Sequence, residues 1–300
     1  MANPGRPLTL PGSLKPIVAG GRRRDDNDLV GSSPDSIVRE LRRSGYSAEG
    51  FAARYDANRP RPPAILLDLL PYIARVERVA LVVDVGSGTG LSTRVWAECA
   101  DSVVGVEANP EMRRYAEMIT REENVQYLDR PAQETALPDA CADIVTSAQS
   151  LQWMDPSPTF DEIGRILRPG GVFAAYNYRS LFTGSWEVDQ SFIEVRDRVG
   201  RLREHLGLNR DKRRWPVSRE RLEASGQFRF TSETSVHSIE RGNGERLIGF
   251  LLSEGSVTTL LEQVSEEAIG LDRLRAIAAK ALADDPAPWY IGYYVWLGVK

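Results

Sequence analysis

Two acidic residues flank a run of glycines in this chain of 300 residues. Asp84 ends the apolar run 81–83, and Glu107 closes a second apolar run further along. Three glycines follow the first acid at alternate positions, namely Gly86, Gly88 and Gly90. Glycine allows the sharp turn and close ligand approach that such a loop needs, because it has no Cβ. A strand that leads into a glycine loop in this way is typical of a site for an adenosine-containing cofactor.

The glycine spacing separates two classes of cofactor. Dinucleotide sites favour G-x-G-x-x-G, with the pyrophosphate on a helix N-terminus, whereas this loop reads G-x-G-x-G. Asp84 would repel a pyrophosphate but can accept hydrogen bonds, directly or through water, from the cationic end of S-adenosylmethionine. Glu107 is placed to accept bonds from the two ribose hydroxyls. The loop therefore predicts S-adenosylmethionine, with a nicotinamide-dependent oxidoreductase and an ordinary structural turn as the alternatives.

Strands and helices alternate around this loop. Runs of β-forming residues predict five strands near 81–85, 102–106, 125–128, 142–147 and 171–176. Such alternation implies a parallel sheet with right-handed crossovers. Residues 91–97 are expected to form a helix whose N-terminal amides face the cofactor. An amphipathic helix over 64–79, kinked at Pro71, is expected to precede the first strand.

The pattern changes after Tyr176. Two further runs of β-forming residues, 228–237 and 289–297, suit a sixth strand and a last strand. Charged, amphipathic stretches lie before and between them. We expect these stretches, at about 184–225 and 244–285, to be helical insertions that cover the carboxyl ends of the strands as a substrate lid.

Composition and charge limit the possible partners. Hydrophobic residues make up 42% of the chain, which is enough for a substantial core. The net charge of −4 gives no general attraction to nucleic-acid phosphates. Two cysteines are too few to indicate a disulfide framework or a metal site, and no apolar stretch approaches the roughly 18 residues that span a membrane. We expect a soluble, cytoplasmic protein with no metal, no nucleic-acid partner and no membrane partner.

In five segments the chain resembles the class I methyltransferases, which use S-adenosylmethionine, and among them the small-molecule group called methyltransferase type 11. The segments are Asp84–Gly90, Val106–Pro110, Ala132–Asp139, Asp143–Trp153 and Arg165–Gly171. The resemblance covers about residues 50–180 well and the remainder loosely. Upstream, Tyr55–Pro60 is similar to a tyrosine-to-Arg-Pro element that often folds over the methionine end of the cofactor.

This resemblance implies an α/β, Rossmann-like fold. Its sheet would have seven strands, mostly parallel with an antiparallel last strand, together with helical lid insertions and an N-terminal helical extension. The domain would occupy residues 63–300, and helices within 33–62, at 33–43 and from Ser47 to Tyr55, would cover the cofactor. Residues 1–32, rich in Pro, Gly, Arg and Asp, read as a flexible or partner-ordered arm that could join a neighbouring subunit in a homo-oligomer.

The resemblance also implies a set of binding residues. Those expected at the cofactor are Tyr55, Arg59, Asp84, Gly86, Ser87, Gly88, Gly90, Glu107, Ala108, Ala132, Gln133 and Gln149. Many relatives have an acid at position 133, so Gln133 implies a neutral hydrogen bond instead. Many also have a histidine at position 152, so Gln152 excludes histidine-based proton chemistry there. The substrate pocket is expected to include Gln152, Trp153, Tyr176 and Tyr178.

No catalytic constellation is evident, and the chemistry does not demand one. Methyl transfer from a sulfonium is an in-line displacement that depends mainly on proximity and the exclusion of water. A general base is needed only where the nucleophile carries a proton of high pKa. The candidates by position are His237, Tyr176, Tyr178 and Glu254, each with packing or solvent exposure as the competing interpretation.

The predicted function is S-adenosylmethionine-dependent methyl transfer to a small molecule, either a metabolite or a specialised natural product. A nucleic-acid methyltransferase is disfavoured, because the fourth-strand segment lacks an Asn/Asp-Pro-Pro-aromatic element and neither Cys99 nor Cys141 follows a proline. A homologue that binds the cofactor but assists another reaction, such as a cyclisation, remains an alternative. The acceptor, and whether its carbon, nitrogen or oxygen is methylated, stays open.

Overall fold

A single sheet of seven strands organises the chain in the computed structural model, which describes residues 50–208, 215–282 and 284–300. The strands are β1 (Val79–Val85), β2 (Ala100–Val106), β3 (Val125–Leu128), β4 (Ala142–Ala148), β5 (Leu167–Phe182), β6 (Phe230–Gly242) and β7 (Ala287–Val299). Their order is β3-β2-β1-β4-β5-β7-β6. The first five strands pair in parallel, and β7 runs antiparallel to both of its neighbours. The predicted fold class is confirmed. The predicted arm at 1–32 and helix at 33–43 lie outside the described residues.

Helices precede the sheet, connect its strands and form most of its insertions. They are α1 (Phe51–Asn58), α2 (Ile65–Ala74), α3 (Pro110–Ile119), α4 (Pro156–Ile166), α5 (Trp186–His205), α6 (Arg219–Ala224), α7 (Gly244–Leu252), α8 (Gly255–Leu261), α9 (Glu266–Ile269) and α10 (Leu271–Ala281). Proline at the first helical position and an Asn109 side chain that caps two backbone N–H groups start α3. None of the helices in the described ranges combines the length and apolar character needed to cross a membrane.

The apolar residues form three clusters. One lies on the sheet face that α4 covers and includes Phe160, and another lies on the face that α2 covers and includes Leu70. The third joins α5, α7, α8 and α10 to Trp289 of β7. The two predicted insertions therefore share a core of their own, which rests on the far end of the sheet.

Three local predictions were wrong. Residues 91–97 form turns and a short 3-10 helix at Arg94–Trp96 instead of an α-helix, because backbone bonds there span three residues. The helix predicted to reach residue 79 ends at Ala74, where Arg75 adopts a left-handed conformation. The fifth strand is far longer than 171–176, since antiparallel pairing with β7 extends it to Phe182. Tyr178 consequently lies within this strand, not after it.

Candidate active site

A cavity lies where the chain changes direction across the sheet, between β1 and its neighbours β2 and β4. Ligands of open α/β sheets bind at such switch points, beyond the carboxyl ends of the strands. The cavity opens to solvent on one side. Its lining residues are Tyr55, Arg59, Pro60, Pro62, Gly86, Ser87, Gly88, Leu91, Ser92, Ala148, Gln149, Tyr176, Tyr178 and Tyr293. We call Gly86, Ser87, Gly88, Ser92 and Gln149 the loop wall, and Tyr55, Arg59, Tyr176, Tyr178 and Tyr293 the aromatic wall.

The end of β2 holds the glycine loop. The backbone N–H groups of Gly86 and Ser87 both donate to the Val106 carbonyl oxygen, at 2.8 and 3.1 Å. The Glu107 carboxylate accepts from the Gly88 N–H at 2.8 Å and from the Asn109 N–H at 2.7 Å. Burial raises the pKa of Glu107, and these two N–H donors oppose that rise. Because a carboxylate oxygen accepts two bonds, each Glu107 oxygen keeps capacity for a ligand hydroxyl.

All three loop glycines have a positive φ, and Gly86 and Gly88 show two different reasons for the missing Cβ. Gly86 has φ +69°, and a Cβ there would lie 2.5 Å from the Met154 Cε and 2.7 Å from the Ser150 Cβ. Gly88 has φ +58°, but a Cβ there would meet only the Met112 Cε, at 3.6 Å. The first glycine therefore lets the loop pack on the protein, while the second leaves open space above the loop.

Asp84 lies behind the loop wall and is fully buried. Its carboxylate accepts from the hydroxyls of Thr93 and Thr146, each at 2.8 Å, and from the Ser92 hydroxyl at 3.3 Å. Burial raises its pKa from the usual 3.8 to about 6, although the three hydroxyls oppose the rise. The same bonds hold residues 92 and 93 against β1, which helps to explain the 3-10 turn in place of a helix.

A hydroxyl pair joins the two walls. The Ser92 Oγ and the Tyr176 Oη lie 2.5 Å apart, and both residues line the cavity. Burial raises the pKa of the Tyr176 phenol, and the nearby Asp84 carboxylate adds to the rise. Tyr176 is therefore a neutral hydrogen-bonding group near pH 7.

Two contacts fix the C-terminal part of helix α1 and the chain just after it beside the cavity. Its Asp56 accepts from the Arg94 guanidinium at 2.8 Å, which ties the helix to the segment after the glycine loop. Beyond the helix, the Arg61 carbonyl oxygen accepts from the Tyr293 hydroxyl at 2.6 Å. These contacts hold the segment that carries Tyr55 and Arg59, both of which line the cavity.

Gln149 follows β4 in a left-handed conformation with φ +57°, which costs a residue other than glycine about 1–3 kcal/mol. Its N–H donates to the Tyr176 carbonyl oxygen at 3.0 Å, and its carbonyl oxygen accepts from the Gln152 side chain at 2.6 Å. The Gln149 Nε2 is buried at the cavity without a hydrogen-bond partner, as is the Ser87 hydroxyl. These two unpaired groups are the donors that a polar ligand would satisfy.

The structure brings some of the sequence candidates together and leaves others outside. Eight of them line the cavity, namely Tyr55, Arg59, Gly86, Ser87, Gly88, Gln149, Tyr176 and Tyr178. Near the same sheet edge but outside the cavity lining are Asp84, Gly90, Glu107, Ala108, Ala132, Gln133, Gln152 and Trp153.

Two catalytic candidates lie elsewhere. His237 is exposed on β6 opposite Gly292, on the sheet face away from Tyr293. The carboxylate of Glu254 pairs with Arg196 at 3.4 Å. Neither residue lines the cavity.

Sequence reasoning missed Ser92 and Tyr293. Ser92 had a usable signal, since two adjacent hydroxyl residues, Ser92 and Thr93, follow the glycine loop. Tyr293 had no such signal. The alternation of residues along β7 predicts that its side chain is buried, but not that it lines the cavity.

Comparison with known proteins places the chain in a family. The model of a methyltransferase domain matches residues 83–175. An uncharacterised methyltransferase of Mycobacterium tuberculosis is 32% identical over 197 residues, which are 61% of this chain and 78% of that protein. The chain is a class I S-adenosylmethionine-dependent methyltransferase.

Other relatives of this methyltransferase match parts of the chain. The malonyl-[acyl-carrier protein] O-methyltransferase of Pectobacterium atrosepticum is 35% identical over 123 residues. This match covers 40% of the chain and spans 44% of that relative's length. A candidate type II methyltransferase from Anaeromyxobacter dehalogenans superposes with a TM-score of 0.57 at 26% identity, over 80% of this chain and 97% of that structure. The cofactor of the present chain, as a member of this family, is S-adenosylmethionine.

Proposed function

We propose that this methyltransferase binds its cofactor along the loop wall and a small-molecule acceptor against the aromatic wall. The observation that carries the proposal is the meeting of these two walls in one cavity, which combines aromatic side chains with a few polar groups as small-molecule sites do. When bound, S-adenosylmethionine supplies a methyl group on a positively charged sulfur. The residues of the chain hold the partners in line and exclude water.

The loop wall suits the cofactor's polar groups. The free acceptor capacity of Glu107 fits the two ribose hydroxyls. The unpaired Ser87 hydroxyl and Gln149 amide fit polar groups at the methionine end. Asp84 acts from behind the wall, since it holds Ser92 in place and adds negative potential near the positive sulfur.

The aromatic wall suits an apolar acceptor. The Tyr178 ring packs edge-on against the rings of Phe250 in α7 and of Tyr293, with distances between ring centres of 5.5 and 6.2 Å. Helix α7 belongs to the insertion after β6, so the wall supports the idea that this insertion is a substrate lid. Among the described residues that line the cavity, Arg59 is the one charged side chain. A nucleic-acid site would instead present a row of basic groups.

The name of the Pectobacterium relative describes methyl transfer to an oxygen of a malonyl group. It supports a metabolite-sized acceptor group for this chain too, although that match covers less than half of either protein.

Incubation of the full chain with methyl-labelled S-adenosylmethionine tests the proposal. The acceptor panel comprises carboxylic acids, phenols, amines and acyl thioesters, with transfer RNA and duplex DNA as controls. We expect label in a small acceptor and none in nucleic acid. Label in nucleic acid would contradict the proposal. Cofactor binding without transfer to any member would favour the homologue that assists another reaction.

A further inference from the structure

Arg59 presents a buried positive charge to the cavity. The residue is 7% exposed and lies just after α1, on the aromatic wall. No carboxylate in the described parts of the chain forms an ion pair with it. Its Nη2 donates to the Ser253 carbonyl oxygen at 2.7 Å, and its Nε has no hydrogen-bond partner. A buried charge without an ion-pair partner is costly, so this guanidinium is arranged for an anion that the described residues do not provide.

Aromatic rings hold the guanidinium in place. Its central carbon lies 4.8 Å from the ring centre of Tyr55, 5.0 Å from that of Phe250 and 5.6 Å from that of Tyr178. These rings belong to α1, α7 and β5, and Ser253 directly follows α7. The hydrogen bond and the ring contacts of Arg59 within the described residues therefore involve the aromatic wall and the insertion after β6, and not the glycine loop.

Among the described residues that line the cavity, none is suited to remove a proton near pH 7. Burial raises the pKa of Tyr55, Tyr176 and Tyr293, so these phenols stay protonated. The Asp84 carboxylate lies behind Ser92 and is bonded to three hydroxyls, and the candidates His237 and Glu254 lie outside the cavity. A site of this kind suits a nucleophile that has already lost its proton.

We infer that the acceptor is a carboxylate on an apolar body, that Arg59 binds the carboxylate, and that the product is its methyl ester. This inference rests on the proposed function and names its substrate class. A carboxylate is ionised at neutral pH and requires no base. A guanidinium recognises it with charge-assisted bonds, and the unpaired Nε supplies one donor.

The reaction balances without a proton transfer. A carboxylate oxygen forms a bond to the methyl carbon as the carbon–sulfur bond breaks. The electron pair of that bond stays on sulfur, so the positive sulfonium becomes a neutral sulfide and the negative carboxylate becomes a neutral ester. Arg59 only orients the acceptor.

Binding to the full chain saturated with S-adenosylhomocysteine tests the inference by calorimetry. The probes are benzoate and its neutral analogue benzamide, which fit an aromatic wall equally well. We expect benzoate to bind the natural chain at least about tenfold more tightly than benzamide, as for a buried charge-assisted bond. Arg59→Met should abolish this preference and change the affinity for S-adenosylhomocysteine less than twofold. Arg59→Lys should retain part of the preference, which shows that the site remains folded.

Arg179→Met is the matched control. The central guanidinium carbon of Arg179 also lies over a tyrosine ring, 4.7 Å from the ring centre of Tyr294, but Arg179 is exposed and lies outside the cavity. It should leave the preference for benzoate intact. Equal binding of benzoate and benzamide to the natural chain would overturn the inference. So would a tenfold loss of S-adenosylhomocysteine affinity in Arg59→Met, which would assign the guanidinium to the cofactor's own carboxylate.

The chemical form of the product gives a second readout. Methyl esters release methanol in alkali, whereas methylated amines and phenols do not. Transfer of label only into alkali-stable products would overturn the inference and leave the proposed function standing. Failure of the natural chain to bind S-adenosylhomocysteine would instead contradict the proposed function itself.

Discussion

The two walls of the cavity differ in how the sequence builds them. The loop wall comes almost entirely from residues 86–92. Two carboxylates support it, those of Asp84 and Glu107, and these acids lie at the ends of adjacent strands. The aromatic wall is assembled from α1, β5 and β7, so its members span positions 55 to 293. The loop wall offers backbone N–H groups and hydroxyls, whereas the aromatic wall offers rings and one cation. This division suits a constant cofactor on one side and a protein-specific acceptor on the other.

Substitutions on the two walls should therefore have separable effects. Changes to the loop wall should weaken cofactor binding. Changes to the aromatic wall should leave cofactor binding intact and weaken acceptor binding. The comparison would be contradicted by a loop-wall variant that weakens only acceptor binding, or by an aromatic-wall variant that weakens cofactor binding.

The largest effect is expected for Gly86→Val. A branched Cβ at φ +69° would strain the backbone and collide with Met154 and Ser150, so the loop must move. Affinity for S-adenosylhomocysteine should fall by on the order of a hundredfold or more. Gly226→Val is the control, because Gly226 has φ +70° and no neighbour within 4 Å of a Cβ. It carries the same backbone strain and should keep full affinity, as calorimetry of both variants will show.

Asp84, behind the loop wall, should make the stability of the protein depend on pH. A carboxyl whose pKa is about 6 in the folded protein and 3.8 when unfolded binds protons more tightly in the folded state. Its contribution to stability is fully present below about pH 4 and declines as the pH rises through 6, by about 3 kcal/mol in total.

Asp84→Asn removes this titration. The difference in unfolding free energy between the natural chain and the variant, measured with denaturant, should shift by about 2–2.5 kcal/mol against the natural chain from pH 4 to pH 7. Burial also raises the pKa of Glu107, but that effect occurs in both proteins and cancels. A difference that is constant, or that moves in favour of the natural chain, would show that Asp84 has no raised pKa.

Glu107→Gln should weaken cofactor binding by about ten- to hundredfold, or 1.5–3 kcal/mol. Glutamine keeps the shape but has one oxygen acceptor and introduces an unwanted donor. Asp129→Asn is the control, because this acid also lies near the end of the sheet but is exposed. If Glu107 serves only to hold the loop and α3, the melting temperature will fall while the affinity for S-adenosylhomocysteine stays the same.

The smallest effect is expected for Tyr178→Leu on the aromatic wall. Loss of the ring beside Arg59 should lower the affinity for benzoate about two- to tenfold in the protein loaded with S-adenosylhomocysteine. The affinity for S-adenosylhomocysteine should change less than twofold. Tyr294→Leu, which removes an exposed tyrosine that also stacks on an arginine, should alter neither affinity.

The same division explains what the sequence could predict. The sheet and the glycine loop follow from local patterns, since buried strands and glycines at alternate positions are visible within short windows. The sequence did not predict Ser92 and Tyr293 as cavity residues, because tertiary packing brings them to the cavity. The hydroxyls of residues 92 and 93 bind Asp84, and Tyr293 reaches the cavity through a bond to the Arg61 backbone. The extra length of β5 likewise depends on pairing with β7, which is more than 100 residues away.

A crystal structure of the full chain with S-adenosylhomocysteine tests the assignment of the two walls most directly. We predict the ribose hydroxyls on Glu107, the methionine end beside Ser87 and Gln149, and open space between Tyr178 and Arg59. A ribose away from Glu107, or a cofactor carboxylate bound by Arg59, would contradict this assignment.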